Sequence, residues 1–173
     1  VQNQKSQMAL LSKLVSPWYP PTALGLEKGF ASVVHLERSR GGGYAARRAA
    51  TFSLSESVIN PSFDDQNIGN TVQLASIIGE LAASAGLLRQ KRWSVCLPEA
   101  TTRTVVVTLE SPASGSELQD VLAWKMERGF GQSLDELSVS REPLDKDSQG
   151  RARYMAIAIR KSVLAEYESV FAS

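Results

Sequence analysis

One histidine and one cysteine bound the chemistry open to this chain. A Ser-His-Asp arrangement would have to use His35, which falls in a strand pattern with no partner implied beside it, so it is read as structural. Cys96 sits in the apolar stretch Val95-Cys96-Leu97 and is read as a small buried hydrophobe, since a reactive thiolate needs an exposed, electropositive setting. A lone cysteine excludes an intrachain disulfide, and one Cys with one His falls short of a structural zinc site. Arg40-Gly41-Gly42-Gly43 lacks the Lys-Ser/Thr and helix start of a P-loop and reads as a hairpin tip. Arg47-Arg48 and the basic stretch 89–92 have no interleaved aromatics and read as solvated faces. Asp64-Asp65 reads as an acidic pair in a loop approaching a helix start, where carboxylates suit the dipole. Trp124 falls at the margin of a helical apolar stripe. That makes it either an edge-of-core residue or a candidate partner anchor, tryptophan being enriched among the side chains that dominate interfaces.

The elements that must position these residues fit into 173 residues, enough for a real apolar core. Apolar residues make up 43% and charged residues 21%, and the net charge of +1 argues in bulk for neither nucleic acid nor an anionic surface. No apolar run approaches a bilayer-spanning length. Met8, Leu10, Leu11, Leu14 and Val15, with Lys5 and Lys13, predict a short amphipathic helix over 1–16 that packs on its own domain, too polar at its start for a secretion signal. The prolines of 17–21 then impose a rigid break.

Beyond the break, glycine turns at Lys28-Gly29 and 40–43 separate three strands, 22–27, 31–38 and 44–54, an antiparallel meander. The 3.6-residue spacing of Ile68, Val72, Ala75, Ile78, Leu81, Ala82 and Ala85 predicts a helix over 68–85, capped by Asn67 and ended by Gly86. Strands follow at 92–97 and 103–110, then a helix over 117–130 capped by Ser116 with the stripe Leu118, Val121, Leu122, Met126 and Phe130. Strands at 137–144 and 153–160 and a helix from about 161 complete the chain. In the last strand Met155, Ile157 and Ile159 face one way, and Tyr154, Ala156 and Ala158 the other. The pattern predicts an α+β, or mixed α/β, class. It divides into a linker over 1–21, a first block over 22–100 and a βαββα block over 101–173.

Five stretches in this order resemble PilM-type pilus-assembly proteins. They are Gly25-Leu26-Glu27-Lys28-Gly29, the basic-led strand Lys91 to Pro98, the strand Arg103 to Leu109, the Glu117-Leu118 helix with Trp124 and Glu127, and Ala156-Ile157-Ala158-Ile159-Arg160-Lys161. The resemblance covers nearly everything after Pro21. It implies a partial ribonuclease H-like, actin-like first block followed by the small inserted subdomain shared with the division protein FtsA. It further implies a cytoplasmic, non-enzymatic scaffold at the inner-membrane face, peripheral to the membrane through its partners. There it would bind the tail of a PilN-type membrane protein and other pilus platform proteins, and no nucleic acid. A GspL-type secretion domain, an actin-like ATPase and a self-associating filament scaffold are the alternatives.

In that superfamily the first hairpin turn wraps nucleotide phosphates with backbone amides. The matching positions here are Glu27, Gly29 and Ser32, and three of the family's features are altered, the family's lysine position being Val34. The acid is Glu27 in place of Asp, and the following hydroxyl position is Phe30, a bulky apolar side chain where phosphate should approach closely. The family would continue beyond Ser173 into a second phosphate loop and an adenosine lobe. The resemblance therefore implies no cofactor for this chain, with ATP held only by a longer parent protein. No metal site is expected.

Overall fold

The computed structural model describes residues 19–39, 41–111 and 114–172. The amphipathic segment predicted over 1–16 lies outside them.

Strands β1 (Thr22–Glu27) and β2 (Phe30–Arg38) form the first hairpin. Their period-2 pattern sends Thr22, Leu24 and Leu26 of β1 and Ala31 and Val33 of β2 into one core. The two-residue turn requires a positive φ, which Gly29 supplies at +94°. Strand β3 (Tyr44–Ser53) pairs antiparallel with β2 across a bulge at His35/Leu36. Strand β4 (Ser94–Cys96) lies parallel to β1, giving the order β3-β2-β1-β4.

Helix α1 (Thr71–Ser84) connects β3 to β4, as a parallel pairing demands. It begins three residues later than its pattern suggests, and Asn70, not Asn67, caps it: Asn70 Oδ1 accepts from the Gln73 N–H at 2.9 Å. Asn67 is withdrawn into a buried network described below. The buried face is centred on Leu74, Ile78, Leu81 and Ala85, so Val72, two residues from Leu74 and on the opposite side, is 80% exposed. Gly86, at φ +66°, ends the helix as expected: its N–H donates to Ala83 O at 2.9 Å and the Leu87 N–H to Ala82 O at 2.7 Å, a Schellman pair. Replacing the cap, Asn70→Ala, is expected to lower stability by about 1 kcal/mol in urea unfolding.

The second sheet is antiparallel in the order β5-β7-β6, from β5 (Thr102–Thr108), β6 (Leu137–Leu144) and β7 (Arg153–Arg160). Helix α2 (Gly115–Phe130) covers one face. The Leu118 N–H already bonds Ser114 O at 3.4 Å, so Ser116 lies within the first turn and does not cap it. Leu122, Met126 and Phe130 pack over Ala156 and Ala158 of β7. The small side chains are what permit this approach: a Cβ on Gly129 would already stand 3.3 Å from Val105 Cγ1. The alanine face of β7 is therefore the core face of the second block; on the other face Ile157 is exposed, while Ile159 packs against the first core.

Helix α3 (Lys161–Phe171) follows β7 directly. Grouped by chain order with the second block, it buries Val163, Tyr167 and Val170 in the first core. In the opposite sense Phe63, from the loop between β3 and α1, lies in the second core, with the Arg103 guanidinium 4.2 Å above its ring. Each block thus lends one element to the other.

Candidate partner-binding site

A polar network at the junction fixes the two sheets relative to each other. Asn67 is 1% exposed. Its Nδ2 donates to Ser62 O at 2.8 Å and Asp65 O at 2.7 Å, and its Oδ1 accepts from the Ser62 N–H at 2.8 Å and the Tyr167 hydroxyl at 3.2 Å. The backbone N–H groups of Asn67 and Ile68 both donate to Glu166 Oε2, at 2.8 and 3.0 Å. Burial, reinforced by the charges of Glu166 and Glu27, raises the Tyr167 hydroxyl above the usual phenol range and keeps it a donor. Asp64 does not serve a helix dipole. It accepts from Arg103 at 2.6 Å and Gln132 at 3.2 Å and lies 3.9 Å from Arg160, joining the loop to the second block. These last contacts are half-exposed and set geometry more than they add stability.

Beside this junction lies a cleft of about 510 Å³, lined by Glu27 and Lys28 of the first turn, Pro61, and Pro98, Glu99, Ala100 and Thr102 at the crossing between sheets. Thr102 belongs to β5 and opposes Ile159 of β7; the next pairs along the same face are Thr104 with Ile157 and Val106 with Met155. By the strand alternation these side chains share the face that α2 leaves uncovered. Val106 is 56% and Ile157 38% exposed, large values for β-branched residues within a sheet. The exposed part of this face is therefore an apolar strip of Val106, Met155 and Ile157; beyond it Ile159 packs against the first core, and Thr102 beside it lines the cleft.

The phosphate-turn residues are only partly assembled. Glu27 and Gly29 flank the hairpin tip, and Glu27 reaches the cleft. Ser32 lies further along β2, opposite Gly25, where a Cβ would stand 3.1 Å from the Ser32 hydroxyl. Phe30 opposes Glu27 on the same face and is 43% exposed, and Lys28 is held 3.0 Å from Glu56. His35 Nδ1 lies 2.7 Å from the Thr22 hydroxyl. Cys96 is exposed, contrary to expectation: Val95 and Leu97 pack on the first core, and the alternation turns the residue between them to the uncovered side of the sheet. Trp124, 56% exposed, lies on the outer surface of α2, away from the strip, with Arg128 5.5 Å from its ring. Among the described residues no His, Cys, Asp or Glu cluster could hold a metal, and no helix is long and apolar enough to cross a membrane.

No family model matches the sequence, and no curated protein matches it. A solved structure does: a PilM-PilN type IV pilus biogenesis complex aligns over 89% of this chain with a TM-score of 0.68 at 17% identity. The fold is PilM-like. At this identity the likeness establishes architecture, a mixed α+β fold with two sheets and three α-helices among the described residues, and the chain spans 44% of the PilM-PilN chain it matches. The sequence reading anticipated this fold but did not single out the open face. Its signal was present in β7, where both faces are apolar although an antiparallel strand covered on one side needs only one.

Proposed function

We propose that this chain is an interaction module of a type IV pilus assembly platform, acting at the cytoplasmic face of the inner membrane and gripping the tail of a PilN-type membrane protein. The observation that carries the reading is the exposed apolar strip of Val106, Met155 and Ile157 on the same block as the junction cleft, on a fold shared with a PilM-PilN complex. An extended or helical tail would lay apolar side chains along the strip and its backbone in the cleft. Trp124 offers a separate anchor for another platform protein. A pull-down with a synthetic PilN-type tail tests the reading. Retention by the immobilised tail is expected, and no retention at micromolar concentration overturns it.

The chain is a binding protein and not an enzyme, and it takes no cofactor. Phe30 supports this, a bulky, partly exposed apolar side chain opposite Glu27, at the position where the resemblance implies a hydroxyl beside phosphate. Calorimetric titration with ATP and magnesium is expected to give no heat beyond dilution. Sub-micromolar binding would show the turn to be competent and favour an actin-like ATPase.

A further inference from the structure

The end of the first sheet remote from the junction gathers the basic residues that the sequence scatters. Strand β1 runs from this end, at Thr22, to the junction cleft, at Glu27. Three clefts meet here, of about 390, 380 and 520 Å³. The first two share Arg89 and Gln90, the last two share Pro20 and Pro21, and the first and third share His35 and Glu37, so they form one continuous surface. Arg38, Arg48, Arg89, Lys91 and Arg92 line it, all exposed. Glu37 is its only lining acid, and that carboxylate is taken by Arg47 at 3.4 Å. Among the described residues Arg38, Arg89, Lys91 and Arg92 make no ion pair. Three large apolar or aromatic side chains stand among the cations: Tyr19 at 72%, Tyr44 at 71% and Leu88 at 70% exposure.

Holding cations together without counter-charges opposes folding, and exposing Tyr and Leu beside them gains nothing in water. The combination suits a surface that is negative outside and apolar just beneath. Phosphates neutralise the arginines there, and tyrosine rings settle at the headgroup level. Chain connectivity points the same way. Tyr19 on this surface is immediately preceded by eighteen residues that contain Lys5 and Lys13 and no acid.

We infer that this end of the first sheet docks directly on an anionic phospholipid bilayer, through Arg38, Arg48, Arg89, Lys91 and Arg92 with Tyr19, Tyr44 and Leu88 at the headgroup level. The contact is independent of the tail-binding face, which lies at the other end of β1. It would hold the module at the membrane and leave the strip free.

The test is vesicle co-sedimentation of the full chain. Binding is expected to vesicles containing phosphatidylglycerol, to be absent with phosphatidylcholine alone, and to fall as salt rises. Arg89→Ala/Arg92→Ala keeps the first eighteen residues and removes two cations. At about fivefold per cation, partitioning should fall roughly 25-fold. Arg141→Ala/Lys146→Ala, which removes two cations of the second block, should change it less than twofold. Equal sedimentation with both lipids, no sedimentation with either, or an Arg89/Arg92 variant that sediments like the parent overturns the inference. So does binding to a DNA oligonucleotide through the same arginines without binding to vesicles.

Discussion

Asn67→Ala should cost about 3–4 kcal/mol of unfolding free energy, read from the urea midpoint. The side chain is buried, and its amide serves four groups: the Ser62 N–H, the Ser62 and Asp65 carbonyls and the Tyr167 hydroxyl. Alanine leaves all four without that partner; the buried Tyr167 hydroxyl so stranded costs about 1–3 kcal/mol before relaxation, and the part-buried Ser62 and Asp65 groups add to it. Relaxation is limited, because the Glu166 carboxylate pins the backbone at Asn67 and Ile68. Asn67→Asp should be no milder. It keeps the acceptor, loses both donor bonds, and turns an oxygen toward two carbonyls. The comparison residue is Asn60, exposed, whose backbone N–H bonds Asn67 O. Asn60→Ala leaves that bond intact and should change stability by less than about 0.5 kcal/mol. Similar midpoints for the two alanine variants would mean that the network is not a structural hub.

The same residue shows where the sequence is legible and where it is not. Asn67 precedes the apolar run of α1, and by local rules it is a cap. Its real partners come from a loop that folds back over five residues and from α3, 100 residues away at Tyr167. No local pattern carries that information. Gly86 is the opposite case, since a left-handed helix terminus is decided within one turn. The hairpins, the limits of β6 and β7 and the α2 stripe are likewise local and were readable. Cys96 shows how little a short strand constrains: three residues of β4 leave its facing to the register with β1. The basic residues make the same point on the surface. The runs at 47–48 and 89–92 read as solvated faces until the β2–β3 pairing and the turn after α1 bring Arg48, Arg89, Lys91 and Arg92 around shared clefts. Strand β7 set two apolar faces in view without deciding between them. The decision belongs to α2, whose Leu122, Met126 and Phe130 pack over Ala156 and Ala158, where small side chains leave room for them.

That decision is what leaves Val106 and Ile157 available, and the second prediction follows from it. Val106→Glu/Ile157→Glu should weaken binding of a PilN-type tail by about 100-fold or more, because a docked apolar segment would have to desolvate both carboxylates without partners. The fold should tolerate the change. Both side chains are already solvent-facing, and their cross-strand neighbours are Thr104, Ser140 and Met155, with no acid directly opposite. The circular dichroism spectrum and urea midpoint should therefore stay close to those of the parent, and fluorescence anisotropy of a labelled tail should show the loss. Trp124→Ala separates the two apolar surfaces of the second block. The tryptophan lies on the far side of α2 and touches neither strip nor cleft, so its removal should leave tail affinity within about twofold. If instead the double glutamate variant binds like the parent while Trp124→Ala does not, the tail docks on α2. The open face of the second sheet would then be ordinary solvated surface, and the strip would no longer support the assignment.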